Sequence, residues 1–591
     1  MKKLKLNNFL IRCLVCSSVV LGFAALYVSN KVHASADTTK PTLSVTQSTK
    51  EYTNKLTFTL KASDASGIKM MKYAKGYQTT SYFKKNGIKL KMSKNKATVS
   101  IAKNDTYTFY AIDNAGNTKI KRITIENIDS TKPTVDLGYS VSDKVATISV
   151  TASDKLSGVK SIAYLKGSYS KSSTKWANAK DISGTTNFKV KKAGFYSVLV
   201  KDNAGNATVS KIKVNLEMKA VWFSYLEFQE WCNTKKSQDY NEESFTSYIQ
   251  TAFDRVVELN MNTVIVQVRP SGDAMYPSKY FPWSQYASGT QGEDPLFDPL
   301  EIMVKEAHKR NLEIQAWINP YRVSSASTNL DLLSDDNPAK KWLTDNSKTN
   351  DRNVLSYNSK LYYNPSSSEV QKLIVNGIKE IVQNYDVDGI HFDDYFYPTL
   401  GSKYASLFDS TEYKEYKETA QAAGKTIMNI ADWRRNNVNT LVKKVYSAVK
   451  AIDPNCKFGI SPTGAYKNLV SDQQYYVDFE TWMSKSGYVD YICPQLYWAY
   501  EDSPYPYEET VDYWASYKKN DAVNLYIGVP SYKAGSSEDK GQWKDSAVLA
   551  SMIEYGRSVD GVDGFMFYRY SFLNKSVCLP ALDELSPLLA E

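Results

Sequence analysis

The stretch Val387-Asp388-Gly389-Ile390-His391-Phe392-Asp393-Asp394-Tyr395-Phe396-Tyr397-Pro398 reads as a buried strand that ends in carboxylates and aromatics. Alternate side chains of a strand share a face, so His391, Asp393 and Tyr395 fall on one side and Ile390 and Phe392 on the other. An ionisable face that emerges from an apolar core is how parallel α/β barrels present chemistry, at the carboxyl ends of their strands. Asp393 is therefore a candidate catalytic carboxylate, against the plainer reading of the pair as capping or loop residues.

Working outward, the chain from Met218 alternates apolar runs with amphipathic segments. Strands are predicted at 219–225, 263–269, 313–319, 387–393, 457–461, 489–495, 524–529 and 562–568, and helices at 243–259, 299–310, 367–385 and 437–452. Eight strands alternating with helices predict an α/β (β/α)8 TIM-type barrel. The predicted strand ends share a composition that the strand starts lack. They run into Arg269-Pro270-Ser271-Gly272-Asp273, Trp317-Ile318-Asn319-Pro320-Tyr321-Arg322, Pro494-Gln495-Leu496-Tyr497-Trp498 and Tyr568-Arg569-Tyr570, so polar groups and aromatic rings converge on one rim.

Upstream lie two related segments. Lys40-Pro41-Thr42, Ala62-Ser63-Asp64 and Asp113-Asn114-Ala115-Gly116-Asn117 recur as Lys132-Pro133-Thr134, Ala152-Ser153-Asp154 and Asp202-Asn203-Ala204-Gly205-Asn206. A period of about 90 residues rich in Thr, Val, Ile and Tyr fits an all-β immunoglobulin-like sandwich. These modules resemble the bacterial immunoglobulin-like repeats of secreted and wall-associated proteins. Spacing the barrel is their plainer role, and contact with the bacterial cell wall is the functional one. Their Asp residues are calcium candidates, but no dense EF-hand loop is present, and no metal or cofactor is expected.

The amino terminus has the form of a secretory signal, with Met1-Lys2-Lys3-Leu4-Lys5, an apolar run from Cys13 to Val28 and small residues near Ala36. The division expected is 1–36 signal peptide, 37–128 and 129–216 immunoglobulin-like repeats, and 217–591 barrel, in an exported or envelope-associated protein with no stable membrane span after cleavage. A retained anchor is the alternative. Of the six cysteines, Cys232, Cys456, Cys493 and Cys578 lie beyond the signal without any Cys-x-x-Cys pair, and two of the three histidines, His308 and His391, remain there, a poor set for zinc. The net charge of +10 is concentrated as lysine in the first third, without the basic-aromatic motif of a nucleic-acid binder.

From about Met218 onward the chain resembles the glycosyl-hydrolase-like family ten. The likeness rests on Lys219-Ala220-Val221-Trp222, Gln267-Val268-Arg269-Pro270, Glu306-Ala307-His308-Lys309-Arg310, Asp388-Gly389-Ile390-His391-Phe392-Asp393-Asp394-Tyr395, Trp433-Arg434-Arg435 and Gly459-Ile460-Ser461-Pro462. It implies an envelope-located barrel, and a member of the family cleaves peptidoglycan strands stripped of their peptides. One departure is Gln315, where many relatives carry His. Gly389-x-His391-x-Asp393 is also similar to a nucleophile-bearing strand of α-amylase-like enzymes. A chitinase-like alignment instead puts Tyr395 where the acid should stand, which removes that mechanism.

Glycoside hydrolysis ordinarily uses two carboxyl groups. Asp393 is the first candidate; Asp394 leads for its partner, followed by Asp273 and then Glu501. Arg269, Asn319, Tyr321, His391, Gln495 and Tyr497 are candidate substrate-binding residues, with Trp317, Trp433 and Trp498 as stacking platforms, and inner-barrel packing is the competing role for each. The expected function is cleavage of a cell-envelope glycan, with peptide-free peptidoglycan as substrate. The alternatives are a carbohydrate-binding scaffold barrel without turnover, and a hydrolase of an exopolysaccharide or dietary polysaccharide.

Overall fold

In a computed structural model the described residues run from 36 to 590, leaving out 143–144, 235–240, 325–326, 395, 471–474 and 502–504. The signal segment and Tyr395 therefore lie outside the described residues. The chain forms two compact units, Met1–Ser130 and Thr131–Glu591.

The first unit has two antiparallel four-stranded sheets. One orders Thr42–Gln47, Leu56–Ser63, Lys96–Ile101 and Met92–Ser93; the other orders Ile88–Lys89, Ile68–Lys75, Asp105–Asp113 and Thr118–Ile125. Period-two burial along Leu56–Ser63 turns Leu56, Phe58 and Leu60 inward, where they meet Met71, Phe109 and Ala111 of the opposite sheet. The Asp-Asn-Ala-Gly-Asn motif makes a tight connection: Gly116 adopts φ +99°, and Asp113 accepts the Gly116 and Asn117 N–H groups at 2.7 and 2.8 Å.

In the second unit a three-stranded and a four-stranded sheet, built from residues between Thr134 and Val214, share a core around Ile148, Phe188, Val198 and Val200. They pack on a closed barrel of eight parallel strands, named here β1 (Met218–Phe223), β2 (Thr263–Arg269), β3 (Glu313–Ile318), β4 (Gly389–Phe392), β5 (Lys457–Ile460), β6 (Tyr491–Ile492), β7 (Asn524–Val529) and β8 (Val562–Phe567). Val221, Val264, Val266, Ile314, Ala316, Ile390 and Phe392 face the surrounding helices, and Ala220, Trp222, Ile265, Trp317, Tyr491 and Met566 fill the interior. Junction groups lie at the strand starts: Tyr139 donates to Glu313, which pairs with Lys457 at 2.7 Å. Asp388, just before β4, accepts from the Ile314 N–H at 2.8 Å and contacts His308 at 3.0 Å.

The four predicted helices are present. Ser367 and Asp298 cap two of them by accepting N–H groups of the first turn. The fourth starts earlier than expected, at Ile430, and its N-cap is Asn429, which accepts the Asp432 N–H at 2.9 Å. Asp432 is thus a residue of its first turn. The four barrel cysteines are buried. No helix among the described residues is long and apolar enough to cross a membrane.

Candidate active site

Strand β4 ends at Phe392, so Asp393 and Asp394 stand just beyond the sheet at the carboxyl-terminal face, at 3% and 6% exposure. Asp393 Oδ2 accepts from Trp317 Nε1 at 3.2 Å and from Asn319 Nδ2 at 3.0 Å. Both donors come from the end of neighbouring β3, and two N–H groups on one oxygen favour its carboxylate form. Asp394 is pushed the other way. Burial, followed by the charge of Asp393, raises it to about 8, against the weaker opposing effects of Arg322 and a Gln495 hydrogen bond. A pair of neighbouring carboxyl groups, one held charged and one held protonated near neutral pH, is the division that acid catalysis of glycoside cleavage requires.

Beneath the pair, His391 plugs the barrel. Trp222 Nε1 donates to His391 Nε2 at 3.1 Å, His391 Nδ1 lies 2.7 Å from the Tyr491 hydroxyl, and that hydroxyl donates to Gln315 Oε1 at 2.5 Å. With Nε2 accepting, the proton belongs on Nδ1, so one direction of donation runs through all four side chains. Burial brings His391 down to about 3, which keeps it neutral. It is fully buried and cannot meet a sugar, so the expected substrate-binding role is corrected to support of the carboxylate floor. Its ring meets Trp317 edge-on at 6.1 Å, and Trp317 in turn holds Asp393. Trp222 and Tyr491 were missed as site residues, although both occupy inward positions that strand alternation marks.

Arg269 and Asp273 belong to a different buried group. A register shift between Gln267 and Arg269 turns the Arg269 side chain away from the barrel interior. Its guanidinium lies 4.1 Å from the Phe281 ring and donates to the Pro320 carbonyl at 3.2 Å, with no exposure. The expected substrate contact is therefore corrected to loop packing. Asp273 is held by Gln291, 3.3 Å from its Oδ2, and burial raises it above the usual carboxylate range despite the Arg269 charge. Tyr321, also without exposure, packs on Phe396 in the helix-facing core, and Asn319 is closed over by its bonds to Asp393 and the Arg322 N–H. Neither meets solvent, so positioning replaces the substrate contact expected of each.

Gln495, Tyr497 and Trp498 remain partly open at the rim. Tyr497 stacks with Tyr568 at 5.8 Å and meets Tyr532 edge-on, and the Asp394 charge reaches it. Tyr475 also senses Asp394; burial first, then that charge, raises it to about 12. It sits at φ +56° in a loop and carries no periodic signal that would have marked it. Trp433 is buried against Tyr413 and Tyr416 and is not a platform. Its neighbour Arg434 forms a fully buried pair with Asp409, Nε to Oδ2 at 2.9 Å, so that motif serves the fold. Glu501 is exposed on its loop.

The family described as Glycosyl hydrolase-like 10 matches residues 217–545. This chain belongs to that family. It is 39% identical to Glycosyl hydrolase YngK of Bacillus subtilis over 61% of this chain and 69% of that protein. It is 33% identical to Glycosyl hydrolase DigH of Escherichia coli K12 over 61% of this chain and 84% of that protein. The PgaB (BpsB) glycoside hydrolase domain from Bordetella bronchiseptica aligns with 63% of this chain and 99% of its own at 14% identity and a TM-score of 0.41, too low to carry an assignment. The chain is an enzyme, a glycoside hydrolase, which sets aside the scaffold reading.

Proposed function

We propose that the enzyme is exported and cleaves an envelope glycan built of 2-acetamido sugars, namely the peptide-free strands of peptidoglycan. The observation that carries the reading is the Asp393–Asp394 pair. Mechanisms with two protein carboxylates place them on opposite sides of the bond, about 5 Å or more apart. Here both issue from consecutive positions at one strand end, so the substrate's own acetamido oxygen is the nucleophile.

In the first step Asp394 gives its proton to the glycosidic oxygen as the C1–O bond breaks, and the acetamido oxygen bonds to C1. Asp393, held by Trp317 and Asn319, accepts the acetamido N–H and offsets the positive charge of the oxazolinium ring. In the second step Asp394, now a carboxylate, takes a proton from water, whose oxygen bonds to C1 as the ring opens. The anomeric configuration is retained. Tyr497, Tyr532 and Tyr568 offer rings for the apolar faces of the sugars.

The amino-terminal modules fit a wall-directed role. In the first module the first, second, sixth and fifth strands form one sheet and the fourth, third, seventh and eighth the other, a two-sheet antiparallel arrangement that supports the immunoglobulin-like reading. Residues 36–130 hold 17 Lys and Arg against 7 Asp and Glu, and residues 131–216 hold 14 against 5, whereas residues 217–591 hold 37 against 51. Positive charge is thus segregated to the modules, which suits adhesion to an anionic wall while the barrel stays free to work.

The test is digestion of peptide-free strands before and after N-deacetylation. Release of reducing ends from the acetylated strands and none from the deacetylated ones is expected. Equal release from both would remove the acetamido mechanism, and no release from either would remove the substrate.

A further inference from the structure

Three carboxylates meet at one end of the first sandwich, outside anything the barrel uses. Asp37 lies in the segment leading into the first strand, Asp64 follows the strand Leu56–Ser63, and Asp113 ends the strand Asp105–Asp113. One oxygen from each lies within 4.8 Å of the other two. Asp113 has no solvent exposure; its Oδ1 serves the turn N–H groups, while its Oδ2 is buried with no hydrogen-bond partner. Asp37 repeats the arrangement, with Oδ1 accepting from the Thr39 N–H at 2.9 Å and Oδ2 buried and unpartnered. Asp64 Oδ1 accepts the N–H and hydroxyl of Ser66.

A buried carboxylate oxygen that accepts nothing is costly, and three converging anions raise the cost. The module has 17 cationic side chains to neutralise them. Among the described residues none pairs with Asp37, Asp64 or Asp113. The vacant charge is therefore matched to a ligand from outside. All three donors are hard oxygens, and among the described residues no His or Cys accompanies them, which selects against zinc and other soft metals. Oxygens within 4.8 Å of one another can share an ion with bonds of about 2.4 Å, the length calcium takes, and calcium accepts the irregular geometry that magnesium resists.

We propose that the first module binds a calcium ion between Asp37, Asp64 and Asp113. The two turns are already joined, Asn114 donating to the Ser66 carbonyl at 2.7 Å from its side chain and to the Gly67 carbonyl at 3.0 Å from its backbone. The ion adds the segment before the first strand, otherwise held by Asn117 Nδ2 on the Asp37 carbonyl at 2.9 Å. It thereby clamps the start of the module to the end that carries its hairpin turn. Asp154 and Asp202 stand at the matching sequence positions of the second module, so the test reads a difference between variants and not a total.

The experiment is calorimetric titration of CaCl2 into the EDTA-stripped chain from Ala36 to Glu591, alongside Asp37→Ala and Asp113→Asn. Asp37→Ala changes a residue that precedes the first strand, and Asp113→Asn keeps an oxygen for the turn, so folding is checked by circular dichroism and either variant suffices. The wild type is expected to bind one more calcium than each variant, with millimolar or tighter affinity, and MgCl2 to bind at least about tenfold more weakly. Calcium should raise the unfolding midpoint of the first module in the wild type and not in Asp37→Ala. No binding up to 10 mM calcium, or equal binding by the wild type and the folded variants, would overturn the site. Magnesium binding as tight as calcium would overturn the choice of ion.

Discussion

In the proposed mechanism Asp394 is the residue on which the chemistry turns, because burial and Asp393 together raise it to about 8. A general acid works while protonated, so kcat/KM should fall as pH rises through about 8, and Asp394→Asn should lower kcat by about 10²–10⁴-fold and abolish that limb. The same group links to stability. Between its ordinary value of 3.8 and about 8 the folded chain holds a proton that the unfolded chain has released, so stability falls as pH rises across that window. Asp394→Asn should flatten the fall, seen as a smaller difference in thermal midpoint between pH 5 and pH 9. Asn319→Ala removes one of the donors to Asp393. Activity on the glycan should drop by about 10- to 100-fold with little change in fold, measured by initial rates and circular dichroism.

At the scale of the element, two glycines make room for the plug under the site. A Cβ at Gly459 would lie 2.0 Å from the Tyr491 ring, and one at Gly389 would lie 2.9 Å from the Gln315 side chain. Gly459→Ala must displace Tyr491 and break its bond to His391, so it should destabilise the chain by about 1–3 kcal/mol in denaturant unfolding and also slow turnover. The strands were legible because their apolar runs are buried on both sides, and the ends of β2 and β7 fall where the sequence places them. Asp393 and Asp394 were legible as rim positions because the strand expected to run through Asp393 stops one residue earlier, at Phe392, and leaves both at its carboxyl end. The misreadings share a cause. Arg269 turns with a bulge that no residue type announces, and Tyr321 and Trp433 are aromatic in surroundings that only the packing reveals. For Tyr475 the site is reached through a loop, where periodicity says nothing.

At the scale of the whole molecule the modules carry the cationic excess and the barrel the acidic one. If the modules hold the enzyme to an anionic wall, co-sedimentation with purified walls should fall steeply as NaCl rises from about 0.05 to 0.5 M, where the Debye length drops to a few ångströms. A fragment from Thr131, which loses the first module and keeps the second together with the barrel, should sediment less than the full chain at low salt, while its rate on soluble glycan oligosaccharides stays the same. The most direct test is the release of reducing ends from peptide-free peptidoglycan strands by the wild type beside folded Asp393→Asn. Steady release by the wild type and a fall of at least about 10²-fold in the variant are predicted. Undiminished release by Asp393→Asn would contradict the account.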